Sequence, residues 1–302
     1  MPRLLRPVPW TCWLVTLATA MTACGDSPTA PAGVQTRATS AFNVSVRYVG
    51  SPTSAERSAV DAAVATWRSA IVGDLSDVRV TAAANDCFTG QPALDEMVDD
   101  LVLFVRISSI DGTGKTLAQS GPCYTRNRSS LPAVGVLMLD ADDVRTVEAQ
   151  GLMHDLVSHE IGHVLGFGTL WPDLQLLTGA GGTDPRFLGA SAGSAYQALG
   201  GGSSGVPVEN AGEDGTRDSH WRESVFGNEL MTGYINLGSN PLSAVTIASL
   251  HDLGYVTDPT AADPYSLPRA GLRSGAAAEV AGTLHVEGHE VLIKPRRRVG
   301  DN

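Results

Sequence analysis

The sequence predicts one sizeable α+β domain, and three observations support this fold class. The chain has 302 residues, of which 43% are hydrophobic and 18% charged, so it can bury a core and lacks the composition of a disordered protein. Segments with the periodicity of strands occur together with segments of helical periodicity. The 33 glycines and 17 prolines indicate long irregular loops and at least one loose end.

Periodicity predicts the individual elements. Strands are expected where apolar residues alternate or form a short buried run, at 42–49, Val78–Ala82, Leu101–Ile107 and Ala133–Leu139. Helices are expected where apolar residues recur three or four apart, at 54–72 after a Ser54 cap, about Leu152–Leu165, Ser191–Leu199, and Leu242–Leu253 ended by Gly254.

Composition also predicts the limits of the folded domain, which we place at 41–260. It contains a long Gly-rich insertion at 171–219, whose composition suits an excursion over the surface. Residues 261–302 lose the periodicity and are expected to form a low-order tail or a small hairpin about Gly288.

The N-terminus has the features of an export signal. Residues 1–23 combine early arginines, a short apolar stretch and small residues, as in a secretory signal peptide. The boundary at Cys24 resembles a bacterial lipobox, so Cys24 is the predicted lipidation site and 24–40 a flexible tether. The alternative is ordinary signal cleavage near Ala23. We therefore expect an exported protein, either an envelope lipoprotein held to the membrane through Cys24 or a secreted one.

Charge and cysteine content narrow the partners and the compartment. A formal net charge of −11 disfavours a phosphate-binding surface, so nucleic acid is not expected as a partner. With Cys12 removed alongside the signal peptide and Cys24 acylated, Cys87 and Cys123 remain. In an oxidising compartment they are predicted to form a disulfide.

The strongest chemical signal is the HExxH sequence at 159–163. On a helix His159 and His163 lie on one face a turn apart and can bind one zinc ion, while Glu160 is placed to act as general base. The structural alternative, two histidines in a core, would require polar partners that the neighbouring apolar residues do not provide. The motif therefore predicts a hydrolase that binds one zinc ion per chain.

The residues after this motif resemble the metzincin peptidases. Gly166 follows His163 by three residues, as in that family, but Thr169 stands where metzincins have a third histidine. The candidate third ligand is His220, followed by a segment around Met231 that is similar to the metzincin Met-turn. A long insertion before the third histidine is similar to the leishmanolysin-like branch.

The resemblance implies a fold and a reaction. The fold is a metzincin-like zincin with a mixed twisted sheet, an edge strand over the cleft, an active-site helix, a Met-turn and a C-terminal helix. The reaction is hydrolysis of peptide bonds in proteins or peptides by a zinc-bound water, with Glu160 as base. Ala133–Leu139 is expected to form the rim strand along which substrate lies extended, and Tyr234 is a possible oxyanion or substrate contact.

Other polar residues receive simpler interpretations. His154 and His251 are expected on the surface or behind the ligands. A second metal site at His285, Glu287 and His289 is an open possibility, and the aspartates at 140, 142 and 143 fit a helix cap better than a calcium site.

Two rival functions remain open. The third ligand could be acidic, Glu223 or Glu229, as in other HExxH peptidases. Alternatively, the chain could be a non-catalytic, zinc-containing surface lipoprotein that acts as a binding module.

Overall fold

The computed structural model describes residues 41–213, 215–268, 284–285 and 289–300. The predicted signal peptide, the lipidation site at Cys24 and the tether lie outside these residues. Within the described ranges, no helix combines the length and the apolar character that a membrane crossing requires.

In the first half of the domain one helix follows the first strand, and five strands then come in succession before the next helix. The strands are β1 (Val44–Tyr48), β2 (Val78–Ala82), β3 (Leu94–Val98), β4 (Leu101–Ser108), β5 (Ala118–Arg126), β6 (Pro132–Asp140), β7 (Leu177–Thr178), β8 (Arg186–Phe187), β9 (Val206–Pro207), β10 (Tyr234–Ile235), β11 (Leu284–His285), β12 (Glu290–Leu292) and β13 (Arg297–Val299). The α-helices are α1 (Ser54–Ala70), α2 (Ala141–Ala149), α3 (Met153–Val164), α4 (Ala190–Ala198), α5 (Glu223–Phe226) and α6 (Ala244–Leu253).

The main sheet is mixed, in the order β1-β4-β6-β5-β12, with β13 also paired to β5. Pairing is parallel between β1, β4 and β6, and antiparallel between β6 and β5. Since β6 has a neighbour on each side, it cannot be the rim of a cleft, and the prediction for Ala133–Leu139 is wrong. The continuous apolar run of β6 reflects an interior strand instead. β5 follows β6 in the sheet, and the far edge of β5 pairs with β12 and β13.

Helix α1 fixes the position of α3. Its buried face includes Trp67, whose Nε1 donates to the Ser158 carbonyl oxygen at 2.8 Å. The N-cap is Thr53 rather than the predicted Ser54, because Thr53 and Glu56 form a reciprocal capping box. At the end of the domain, α6 finishes as expected at Gly254, which has a positive φ of 116°.

Before α3, three elements have weak local signals and were not predicted: β3, β5 and α2. Strand β5 contains Gly121 and Pro122, which sequence reasoning takes as turn residues, and its pairing with β6 shifts register just after Pro122. Asp140 is the N-cap of helix α2. Its side chain accepts hydrogen bonds from the amides of Asp142 and of residues 110–112. The cap interpretation of Asp140 is therefore confirmed.

A disulfide joins Cys87 and Cys123, as the cysteine count predicts. Their Cα atoms are 5.8 Å apart, and both side chains are buried. The disulfide links the loop before β3 to strand β5.

The insertion is more ordered than a surface excursion. Its small sheet β7-β8-β9 and helix α4 fold back on the domain through a cluster of aromatic rings in tilted and edge-to-face contact. Trp171, Phe187 and Trp221 are fully buried in that cluster, with ring centroids 5.0–5.6 Å apart. Helix α4 lies where a helix was expected, at Ser191–Leu199. The buried rings of Trp171 and Phe187 were not expected, and they attach to the domain an insertion that has many exposed residues.

The C-terminal segments do not form the predicted hairpin about Gly288. Strand β11 pairs with β10, whereas β12 and β13 run parallel to β5. The two segments therefore belong to different sheets, and pairing partners far away in the sequence decide their places.

Candidate metal centre

Helix α3 carries the HExxH residues on its buried face. His159, Glu160 and His163 are fully buried, and the Nε2 atoms of the two histidines are 3.1 Å apart. The helix ends at Val164, and Gly166 turns the chain with a φ of 111°. This turn brings the Phe167 carbonyl oxygen to within 2.9 Å of His163 Nδ1.

His220 completes a triangle of imidazole nitrogens. Its Nε2 lies 3.1 Å from that of His159 and 3.0 Å from that of His163. The segment is held from both sides, because the His220 carbonyl oxygen accepts from the Glu209 amide and the next amide, Trp221, donates to Met231. The chain crosses the whole insertion before it returns to this point.

The hydrogen bonds on the far side of each ring fix its tautomer. The Nδ1 atoms of His159, His163 and His220 face the carbonyl oxygens of Leu230, Phe167 and Thr216 at 2.8, 2.9 and 3.0 Å. Because a carbonyl oxygen only accepts, each Nδ1 carries the proton, and a neutral ring then presents an unprotonated Nε2.

Three converging lone pairs cannot bond to one another, but they can bind a cation. Nitrogen separations of 3.0–3.1 Å are close to the edges of a tetrahedron around an ion about 2 Å from each nitrogen. Neutral imidazoles are suitable ligands for zinc. The residues present therefore fit the metal that the sequence predicts.

A fourth group, Glu290 of β12, reaches the same point. Its carboxylate oxygens lie 3.2 Å from His163 Nε2, 3.3 Å from His220 Nε2 and 3.5 Å from His159 Nε2. Together these four buried residues form a group that could bind one metal ion. Glu290 is not among the predicted ligands, because its segment has no ligand motif and the expected hairpin would keep it away from α3.

Burial and charge shape the electrostatics of the centre. Burial, reinforced by the nearby carboxylate of Glu290, raises the pKa of Glu160 to about 8. Burial also lowers the pKa of His163 to about 3, against the opposing influence of Glu290. For Glu290, burial raises the pKa, but the imidazoles of His163 and His220 outweigh it and the net direction is downward.

Met231 lies directly below the helix. The side chain is fully buried, and a Cβ atom at Gly162 would meet its thioether, so Met231 packs against the α3 turn between the two histidines. The neighbouring Leu230 carbonyl oxygen accepts from His159. The segment thus supports the centre by both packing and hydrogen bonding.

The acidic alternatives for the third ligand are used elsewhere. The buried carboxylate of Glu229 accepts from the Met231 amide and from the hydroxyls of Ser243 and Thr246. Glu223 begins the short helix α5, and the described metal-binding group contains neither glutamate. Tyr234 begins β10, where its carbonyl oxygen accepts from Thr232.

The remaining histidines lie away from the centre or partly outside the described residues. His154 contacts Asp155 and Thr66, and its hydrogen bond to the Asp155 carboxylate raises the pKa of His154 despite partial burial. His251 is exposed on α6. For the possible second site, Glu287 lies outside the described residues, and the described contact of His289 is from Nδ1 to the Lys115 carbonyl oxygen.

A cavity of about 580 Å³ opens beside the centre. Its walls come from Gly168 and Thr169 after α3, from the insertion, and from the β12 segment at Val291 and Leu292.

The mixed sheet, the HExxH helix and the downstream histidine define a class, the α+β proteins in which three histidines could bind one metal ion. The family model for peptidase M8, leishmanolysin, matches residues 95–267. A leishmanolysin homolog from Crithidia fasciculata is 30% identical over 166 residues, which cover 52% of this chain and 24% of the relative. The match thus spans about a quarter of the relative's length.

The chain belongs to the leishmanolysin family of metallopeptidases. The family match confirms the predicted resemblance.

Proposed function

We propose that the protein is an exported, zinc-dependent endopeptidase. The observation that carries this proposal is the convergence of three histidine Nε2 atoms next to Glu160, whose carboxylate is buried. On each of the three rings, Nδ1 is hydrogen-bonded to a backbone carbonyl oxygen. In this proposal His159, His163 and His220 hold the ion.

The ion would supply Lewis-acid chemistry, which polarises a scissile carbonyl and makes water more acidic. Glu160 accepts the proton of the attacking water and returns it to the leaving amine. Its place next to His159 on the buried face of α3 supports this role, since the base must be within hydrogen-bond reach of that water. Met231 packs against α3 at Gly162 and stabilises the position of this helix.

The substrate is proposed to be an extended peptide that adds to the outer edge of β5. Strand addition to a sheet edge supplies backbone hydrogen bonds that are independent of side chains. In the structure this edge is paired with β12 and β13, which a substrate would have to replace. β5 pairs with β6 on its inner side and contacts α3, so a peptide on its outer side would pass the three histidines. Tyr234 remains a proposed contact of the substrate or the oxyanion.

Export is proposed from the N-terminal signal, with Cys24 as the lipid anchor where the lipobox is used. The Cys87–Cys123 disulfide supports this, because structural disulfides persist in oxidising compartments and are rare in the cytosol.

One observation favours a second candidate, a non-catalytic zinc module. With Glu290 beside the three histidines, the centre has four protein groups, as structural zinc sites do, whereas catalytic sites keep one position open. The family assignment and the buried Glu160 favour the peptidase, since a structural site has no use for a base.

The test is cleavage of a peptide library by the purified full chain, with mass-spectrometric mapping of the cut sites. Cleavage that stops on chelation and returns with zinc supports the peptidase. A chain that holds one zinc ion but cuts nothing, even when Glu290 is replaced, supports the binding module.

A further inference from the structure

The segment 289–300 occupies the outer edge of β5. Its residues Glu290–Leu292 pair in parallel with Ala118–Ser120, and Arg297–Val299 pair with Tyr124–Arg126. The backbone amide of Ile293 donates to the Ser120 carbonyl oxygen at 2.6 Å. Further along, the Arg296 amide donates to Cys123 and the Asn127 amide donates to Val299. The strand position where an extended substrate would add is thus taken by the chain itself.

Glu290 is the inward-facing residue of this segment at the metal centre. It is only 3% exposed, whereas the next residue, Val291, points outward and is 47% exposed. This alternation is that of a strand with one face in the cleft. The carboxylate stands at the side of the three-histidine triangle that a catalytic site leaves open for water.

The cleft is shaped to the backbone of this segment. Gly121 of β5 has a φ of 146°, and a Cβ atom there would collide with the Ile293 carbonyl oxygen. On the opposite side, Gly215 has a φ of 108°, and a Cβ atom would collide with the Glu290 carbonyl oxygen. Two glycines with positive φ therefore allow the segment to approach from both walls.

We infer that residues 289–300 are a built-in inhibitor, which closes the substrate cleft and places Glu290 as the fourth ligand of the metal. The inference rests on the proposed function. The segment is short, its two strands have three residues each, and an exposed edge strand can leave without unfolding the sheet behind it. The resting protein is then latent, and displacement or removal of the segment opens the site.

The test compares the full chain with Glu290→Ala and Glu290→Gln. The matched control is Glu148→Gln, which removes an exposed carboxylate on α2. A segment that closes the cleft in about 90% of molecules lowers the rate about tenfold, so both Glu290 variants should cleave peptides about tenfold faster or more. The control should cleave at the parent rate.

Two readouts do not depend on activity. In the zinc-loaded parent, the amides of Ile293 and Arg296 should exchange slowly with deuterium, and in Glu290→Ala they should exchange at least about tenfold faster. The absorption spectrum of the cobalt(II)-loaded chain should change in both Glu290 variants, because a ligand is lost, and not in Glu148→Gln. Ile293→Pro, which removes the amide donor to Ser120, should release the segment without altering the histidines.

The outcomes separate the two proposals. Unchanged exchange, cobalt spectrum and cleavage rate in the Glu290 variants would overturn the inhibitor. An active parent whose rate does not rise in Glu290→Ala or Ile293→Pro would also overturn it. Faster exchange and a changed cobalt spectrum, without cleavage by any variant, would uphold Glu290 as a ligand and the segment as occupant of the cleft, while refuting the peptidase.

Discussion

Met231 fills the space in which a side chain at position 162 would stand: a Cβ atom on Gly162 would lie 2.7 Å from both Sδ and Cε of Met231. Gly162 is the HExxH residue immediately before His163. The glycine therefore lets the methionine approach the helix between its two histidines, and this packing links α3 to the segment that follows His220.

We predict that Gly162→Ala destabilises the protein in spite of the better helix propensity of alanine. Overpacking typically costs about 1–3 kcal/mol, more than the gain of about 1 kcal/mol from replacing a helical glycine. In a Met231→Ala background the same change should be tolerated, giving a coupling of about 1–2 kcal/mol in urea unfolding. Gly193→Ala on α4, where the space is open, is the control. Additive effects of the two substitutions would argue against the contact.

Glu160→Gln should reduce peptidase activity by at least about a hundredfold while the protein retains one zinc ion. The reason is that Glu160 serves as base and is not one of the groups that converge on the metal. Zinc is measured by mass spectrometry of the native protein and activity with a cleaved library peptide, with Glu148→Gln as control. Loss of zinc together with activity would show that Glu160 is needed for metal binding.

His220→Ala should lose zinc during dialysis against a weak chelator and lose activity in parallel. Two helix histidines and a displaceable carboxylate hold the ion less tightly than three imidazoles. His251→Ala, an exposed histidine on α6, should keep its zinc. Full retention of zinc with near-normal activity in His220→Ala would show that the third ligand is a residue other than His220.

Cys87 and Cys123 should be oxidised to each other in protein produced with its signal peptide. The sequence separation of 36 residues implies a stabilisation of roughly 3 to 4 kcal/mol from chain entropy. Alkylation of the unfolded, unreduced protein checks the oxidation state, and denaturant unfolding of the double serine variant checks the free energy. Two alkylated thiols would contradict the prediction.

Asp140→Asn should destabilise the protein by about 1–2 kcal/mol at neutral pH. Burial raises the pKa of Asp140, but hydrogen bonds from four backbone amides outweigh it and hold the pKa below its usual value. Because the pKa of Asp140 is lower in the folded state, its ionised carboxylate stabilises the folded protein at pH values above the unfolded-state pKa, near 3.9. This stabilisation is lost as the pH falls through the folded-state pKa. The difference in free energy of unfolding between Asp140→Asn and the parent should therefore shrink below about pH 4. The control Asp61→Asn changes an exposed residue on α1 and should have little effect on this free energy at any pH.

The sequence by itself determined the parts of this protein that follow local rules. Alternation and helical spacing are properties of neighbouring residues, so β2, α3 and α6 were predicted within a residue or two. The HExxH spacing placed His159 and His163 on one face, and the cysteine count paired Cys87 with Cys123.

Only the tertiary structure decided which distant segments meet. Gly121 and Pro122 are typical of a turn, yet pairing with β6 on one edge and with β12 and β13 on the other makes β5 a strand of the main sheet. The partner of β12 lies about 170 residues earlier in the chain, and nothing in the residues around Glu290 specifies it. Strand pairing depends on which edges remain free after the core has formed, so Glu290 reaches the histidines through the fold and not through any motif of its own.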